Sequence, residues 1–265
     1  MGFGWGIFGA SFATVLAQLI AFLLCLRSLR RLPFVQLTKA DWKTDPAILL
    51  HLCRLGIPTG LQMSMITLGG MVLQSVLNGF GVVFVAGYTA ANKLYGILES
   101  ASVAFGYAMT AYMGQNRGAR NAARIDAGIR AVLVLSAEFT AAIVTAMLLA
   151  GKPLLGLFLS TEEAGAADAL AVAYQYLMVL MAFLFALFML QAYRSSLQGL
   201  GEMTVPTLSG FAEMLMRMGA ALVLPTFIGQ SGVFFAEGAA WVCAAALNLV
   251  WYYMRIGKIK RDMLK

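Results

Sequence analysis

Charged residues are scarce in this sequence, and their scarcity argues against an ordinary soluble domain. Asp, Glu, Lys and Arg make up 12% of the 265 residues, whereas soluble domains usually carry about a quarter. Three runs contain no charge at all: residues 1–26, 55–92 and 169–193. A helix needs about 20 mostly apolar residues to cross the hydrocarbon core of a bilayer, so these runs indicate membrane-spanning helices.

Cysteine and histidine are also rare, which removes residues that many catalytic and metal sites need. The three cysteines include no CxxC pair, and they predict neither a disulfide framework nor a metal site. The single histidine, His51, is interpreted as a polar residue at the membrane interface, with a proton relay as the alternative. Since HExxH and GxSxG motifs are missing as well, we predict a protein that is not an enzyme and needs no cofactor.

Long apolar segments dominate what the sequence does contain. Seven of them cover residues 3–26, 55–78, 88–113, 127–150, 170–193, 206–228 and 232–254. They are too long for barrel strands and show no period-two alternation, so they predict an all-α, polytopic bundle of seven transmembrane helices. The first segment has no basic residue ahead of it and is interpreted as a permanent span rather than a signal peptide.

Positive charge follows the connections on one side of this predicted bundle. All of the 19 Lys and Arg residues except Lys93 and Lys152 lie on or near that side. The positive-inside rule then predicts a cytoplasmic C-terminus and an external N-terminus in the plasma (inner) membrane. Because the charges are divided among loops rather than gathered on one face, we predict a lipid bilayer as partner and no nucleic acid.

A few ionisable residues interrupt the spans and are the first candidates for a functional site. Glu99 and Glu138 lie near the middle of the third and fourth spans, and Lys93 lies in the third. Such groups are costly in a membrane and should face a cavity or a partner. Glu213 and Arg217 share one helical face, where they form either a packing ion pair or part of an ion pathway. Glu99 has no cation one turn away, which favours a role in a cavity.

Polar residues also recur every three or four positions along the third span. They are Asn92, Tyr95, Glu99, Ser102 and Gly106. This spacing is typical of a helix with one wet face, as a pore or cavity lining has. Gln62 and Gln74 give a weaker version of the pattern in the second span. Glutamines in spans are more often interhelical hydrogen bonds than ligand contacts, and both interpretations are kept.

The segment before the second span contains a signal for the start of a helix. Asp45 can cap the first backbone N–H groups, and Pro46 suits the first helical position. An apolar stripe then predicts a helix at the membrane interface, which a turn at residues 56–58 redirects into the bilayer.

Several motifs resemble the second half of the multidrug and toxic compound extrusion (MATE) transporters. They are LGIPTGLQ at 55–62, AGYTAANK at 86–93, MGQN at 113–116, QGLGE at 198–202 with Pro206, and GIFGASFAT at 6–14. Their order and spacing extend over nearly the whole chain.

The resemblance implies a twelve-helix transporter whose two six-helix lobes alternate between inward and outward openings. Residues 1–32 would be the last helix of the first lobe, 33–54 a cytoplasmic linker with the interfacial helix, and 55–265 the second lobe with a basic tail. The chain would then be a fragment or the product of a truncated gene, and the missing N-terminal lobe would be its partner.

The resemblance further implies a multidrug antiporter that exports amphipathic organic cations in exchange for H⁺ or Na⁺. Sodium-coupled members carry acidic residues in the seventh and tenth helices, but 61–77 holds no carboxylate and the second position falls near Leu187. Glu99 is therefore the substitute candidate, with Tyr95, Tyr107, Met63 and Met189 as adaptable apolar contacts. Two alternatives remain: a flippase for lipid-linked oligosaccharides in the same superfamily, and a non-transporting membrane scaffold or partner subunit.

Overall fold

The computed structural model is helical over the residues that it describes, which are 6–31, 43–159 and 165–263. Seven α-helices follow one another: α1 (Gly6–Leu29), α2 (Pro46–Asn78), α3 (Val82–Gly118), α4 (Ala122–Gly156), α5 (Ala166–Gly199), α6 (Thr204–Ile228) and α7 (Phe235–Met263). A short 3₁₀ turn, Gln230–Phe234, separates the last two. These described ranges contain no strand, which confirms the all-α prediction.

Six of these helices are long and apolar enough to cross a membrane. The exception among the described helices is α3, the helix on which the sequence predicts a polar face. A helix with one polar face has a lower mean hydropathy than a helix that is apolar on all sides, so composition alone does not identify α3 as a membrane span. The fold is that of a multi-pass membrane protein.

The start of α2 agrees with the helix start that the sequence predicts, but the helix does not turn where the sequence predicts a turn. The Asp45 Oδ1 atom accepts a hydrogen bond from the backbone N–H of Ala47 at 2.8 Å, as a capping residue should. The helix then continues to Asn78 with Pro58 inside it, so the predicted turn at 56–58 is wrong. The Thr59 hydroxyl donates to the Leu55 carbonyl one turn earlier, also at 2.8 Å. Residues 32–42 of the predicted linker lie outside the described residues.

The chain forms two compact units, residues 1–52 and 53–265. In the larger unit α5 is the central helix, with its most extensive interface against α3 and further interfaces against α4 and α7. Its Tyr176, Leu180 and Phe188 side chains are fully buried. A helix that is apolar on all sides is expected in the centre of a bundle.

The α3–α4 and α5–α6 turns lie at the same end of the larger unit. The Arg117 guanidinium, at the end of α3, donates to the carbonyl of Leu200 at the end of α5. Chain direction then places the α6–α7 connection at the opposite end.

Candidate functional site: a charged cavity among five helices

A cavity of about 530 Å³ lies within the larger unit, among α2, α3, α5, α6 and α7. Five ionisable carboxylate and guanidinium groups line it: Glu99, Arg194, Glu213, Arg217 and Glu237. Charged side chains are costly within a membrane bundle and mark a functional site by default. They come from α3, α5, α6 and α7, so the cavity is the place where charges from four helices gather.

Four of these charges form one buried network. The Arg217 guanidinium contacts a Glu213 carboxylate oxygen at 3.1 Å and a Glu237 oxygen at 2.8 Å. The second Glu213 oxygen contacts the Arg194 guanidinium at 2.5 Å, and Arg217 also donates to the backbone carbonyl of Ile66 at 3.0 Å. Because removing one member would leave an uncompensated charge, the network holds α2, α5, α6 and α7 together around the cavity.

Glu99 is the carboxylate that stands apart from this network. Its side chain is half-buried on the cavity wall, one helical turn from Tyr95 on α3. Within the part of the chain that the structure describes, no cation forms an ion pair with it. Three carboxylates and two guanidiniums line the cavity, which leaves an excess of one negative charge when all are ionised.

Aromatic and methionine side chains form the apolar part of the wall. The Tyr95 ring stacks on the Trp241 indole with centroids 5.5 Å apart, and Tyr107 and Met63 also line the cavity. Met189, predicted as a similar contact, packs instead against the hydrophobic core. Aromatic faces next to a carboxylate suit an organic cation, since the ring quadrupole attracts positive charge.

The structure brings together five of the nine candidate site residues. Asn92, Tyr95, Glu99, Glu213 and Arg217 all line the cavity. The predicted wet face of α3 also contributes Gly106, whereas the Ser102 hydroxyl turns back to donate to the Glu99 backbone carbonyl at 2.9 Å.

The other four candidates lie elsewhere. Gln62 is buried, and its Oε1 atom accepts a hydrogen bond from Gln198 Nε2 at 3.0 Å. This contact joins α2 to α5, so Gln62 makes an interhelical hydrogen bond rather than a contact in the cavity. Gln74 donates to Asn78 on its own helix. Lys93 and Glu138 are exposed and are absent from the cavity lining.

Arg194 and Glu237 are the two charged members that sequence reasoning missed. Arg194 follows a long uncharged run in the sequence, but α5 continues past it to Gly199 and leaves the residue 6% exposed. Glu237 lies in the first turn of α7, from which it pairs with Arg217. The signal that could have found both is their isolation, since Arg194 ends the uncharged run 169–193 and Glu237 is the single charge within 218–254.

Comparison with known proteins points to one family. Residues 58–223 match the MatE family. The probable multidrug resistance protein YpnP of Bacillus subtilis (strain 168) is 30% identical over 265 residues, a match that covers 97% of this chain and 56% of that protein. The probable multidrug resistance protein YoeA of the same organism is 26% identical over 264 residues, with the same coverage.

Solved structures share the fold. A MOP superfamily transporter from Pyrococcus furiosus superimposes with a TM-score of 0.87 at 24% identity, and an outward-facing multidrug resistance MATE family transporter with 0.86 at 23%. Both matches cover 97% of this chain and 58% of the other. The chain therefore spans about half the length of the proteins that it matches.

Proposed function

Because this chain belongs to the MatE family of transporters, we propose that it supplies the second lobe of a cation-coupled multidrug efflux antiporter. Residues 55–265 would form that lobe, 1–32 the last helix of the first lobe, and 33–54 the linker. The remaining length of the matched relatives would correspond to the first lobe. Substrates would be amphipathic organic cations, exchanged for H⁺ or Na⁺ by alternating access.

The unpaired Glu99 carboxylate in the cavity is the observation that carries this proposal. The other four charges neutralise one another, so Glu99 supplies the excess negative charge that would attract a cation. Tyr107 and Met63 line the same cavity with exposed side chains, where an organic cation gains apolar contact area and cation–π attraction.

Exchange would follow from competition for this carboxylate. A proton and an organic cation both neutralise Glu99, but they cannot do so at the same time. Each occupant would shift the equilibrium between the inward-open and outward-open states only as far as it binds one of these states more tightly than the other. Substrate release on one side of the membrane would then require that the coupling ion take its place.

Binding of a fluorescent organic cation, ethidium, to the purified chain in detergent tests the role of Glu99. We expect Glu99→Gln to weaken binding at least about 10-fold, since it removes a charged partner worth roughly 1.5–3 kcal/mol. Glu138→Gln removes an equal charge outside the cavity and should bind as the unaltered chain does. Equal affinity of the Glu99→Gln and unaltered chains would remove this residue from the mechanism.

The coupling ion is tested by following pH in weakly buffered solution during the same titration. Release of about one proton per bound ethidium at a pH where Glu99 is protonated would support H⁺ exchange. Competition by NaCl but not by choline chloride, without proton release, would support Na⁺ exchange. In proteoliposomes of the complete transporter, the matching gradient should drive ethidium counterflow.

A lipid-linked oligosaccharide flippase is the second candidate, since Arg194 and Arg217 both face the cavity. A pyrophosphate would need cations free to form charge-assisted hydrogen bonds. Here Glu213 and Glu237 already neutralise both guanidiniums, which favours a cationic substrate. Competitive displacement of ethidium by a soluble pyrophosphate would favour the flippase over the multidrug antiporter.

A further inference from the structure

A second concave site lies at the end of the larger unit that carries the α3–α4 and α5–α6 turns. This basic cleft has a volume of about 360 Å³. Four cations line it: Arg117, Arg120, Arg255 and Lys258. Glu202 and Asp262 are its two carboxylates, so the lining carries a net charge of +2 (four minus two). The cleft is separate from the cavity that contains Glu99, because the two share no lining residue.

Two of these cations are already engaged by the protein. Arg117 donates to the Leu200 carbonyl, as basic groups near the end of a helix often do. Arg255 lies over the Trp251 ring at 5.5 Å and approaches Glu202 at 3.8 Å. That distance is long for an ion pair, and the buried Nε atom of Arg255 has no hydrogen-bond partner among the described residues.

Arg120 and Lys258 have no such structural role. Both side chains are exposed, and neither forms an ion pair or a side-chain hydrogen bond within residues 6–31, 43–159 and 165–263. Nearby Lys260 is different, because it is paired with Asp126 on α4. Two unengaged cations in a concave surface next to two partly engaged ones are the arrangement that an anion with several oxygens would need.

The position of the cleft along α7 indicates which kind of anion would bind. The 29 residues of α7 extend about 44 Å, well beyond the roughly 30 Å hydrocarbon core. Trp251 lies one helical turn before Arg255, in the order typical of an aromatic residue at the interface followed by cations at headgroup level. Basic pockets between the ends of transmembrane helices bind anionic headgroups.

We propose that the basic cleft binds the phosphate of an anionic phospholipid headgroup, with Arg120 and Lys258 as its main cationic contacts. A free phosphate carries the same chemistry, but it lacks the acyl chains that would anchor it beside α7. The lipid phosphate would neutralise one of the two excess positive charges and hold the α3–α4 and α5–α6 turns against α7.

Native mass spectrometry of the full chain, released from detergent and titrated with phosphatidylglycerol, tests the proposal. We expect one tightly held lipid, with affinity about 30-fold lower in the double variant Arg120→Gln/Lys258→Gln, since two cations at a lipid surface are removed. The matched control Arg130→Gln/Arg261→Gln removes the same charge outside the cleft and should change affinity less than about 2-fold. Arg120→Lys/Lys258→Arg keeps the charge and should retain most of the affinity.

Three results would overturn the proposal. The first is equal affinity for phosphatidylglycerol and phosphatidylcholine, which would show that no anionic group is selected. Another is loss of affinity in the control as large as in the cleft variant, which would show a general effect of charge. The last is displacement of the lipid by millimolar inorganic phosphate or glycerol phosphate, which would assign the cleft to a soluble anion.

Discussion

An individual charge in this bundle stabilises or destabilises the fold, depending on the groups that surround it. Glu213 forms ion pairs with two guanidiniums, and its side chain is almost completely buried. Glu138 lies on the exposed face of α4, near the middle of a span. The first carboxylate compensates neighbouring charges, whereas the second has no ion-pair partner among the described residues and would be costly in a bilayer.

Neutralising these two carboxylates should therefore change stability in different directions. Glu213→Gln leaves Arg194 and Arg217 short of a partner and should lower the free energy of unfolding by about 3–5 kcal/mol. Glu138→Gln should leave it unchanged or raise it. Thermal unfolding of the purified variants in one detergent measures both. A Glu213→Gln chain as stable as the unaltered one would show that the network contributes little to the fold.

Sequence spacing identified only part of this network, and the reason is geometric. Glu213 and Arg217 are four residues apart on one helix, where the helical repeat alone makes them neighbours. Arg194 and Glu237 reach them from α5 and α7. Those contacts depend on how three helices pack, which a pattern along one segment does not encode.

At the scale of elements, the interface between α3 and α5 depends on close backbone approach. A Cβ atom placed on Gly87 would overlap the Ala169 carbonyl and lie 2.9 Å from the Val172 Cβ atom. Further along α3, a Cβ atom on Gly96 would meet nothing within 4 Å. Small residues at such positions let transmembrane helices pack closely.

Alanine substitutions at these two glycines should distinguish the effect of close helix packing on stability from the effect of helix propensity. Gly87→Ala should destabilise the chain by about 1–3 kcal/mol, because α3 and α5 must move apart. Gly96→Ala adds the same methyl group to open space and should be neutral or stabilising by up to about 1 kcal/mol, since alanine favours the helix. Denaturation in detergent measures the difference, and equal effects at both sites would argue against a glycine-dependent interface.

The elements themselves were predictable to different extents. The ends of α2 at Asn78 and α6 at Ile228 coincide with the predicted spans, because a glycine-containing turn follows each apolar run there. Elsewhere the helices continue beyond the spans, as α5 does to Gly199. The length of an apolar run indicates only the part of a helix that lies in the hydrocarbon core. The helix itself continues into the polar interface, because its backbone hydrogen bonds do not depend on apolar side chains. Pro58 was overinterpreted as a turn because membrane helices tolerate proline better than soluble ones.

At the scale of the whole molecule, the distribution of charge predicts an orientation. The end with the basic cleft carries Arg117, Arg120, Arg255 and Lys258, and Lys260 and Arg261 lie close to them on α7. The opposite end carries Lys152, over the Tyr174 ring at 4.9 Å. The positive-inside rule then places the basic end in the cytoplasm.

Cysteine labelling in intact cells tests this orientation. The background replaces the three native cysteines, Cys25, Cys53 and Cys243, by serine. Single cysteines then probe exposed residues at the two ends: Ala119→Cys in the α3–α4 turn and Ser231→Cys between α6 and α7. A membrane-impermeant maleimide should label only Ser231→Cys in intact cells and both variants after lysis. Labelling of only Ala119→Cys in intact cells would invert the orientation, and the basic cleft would then face the outer leaflet.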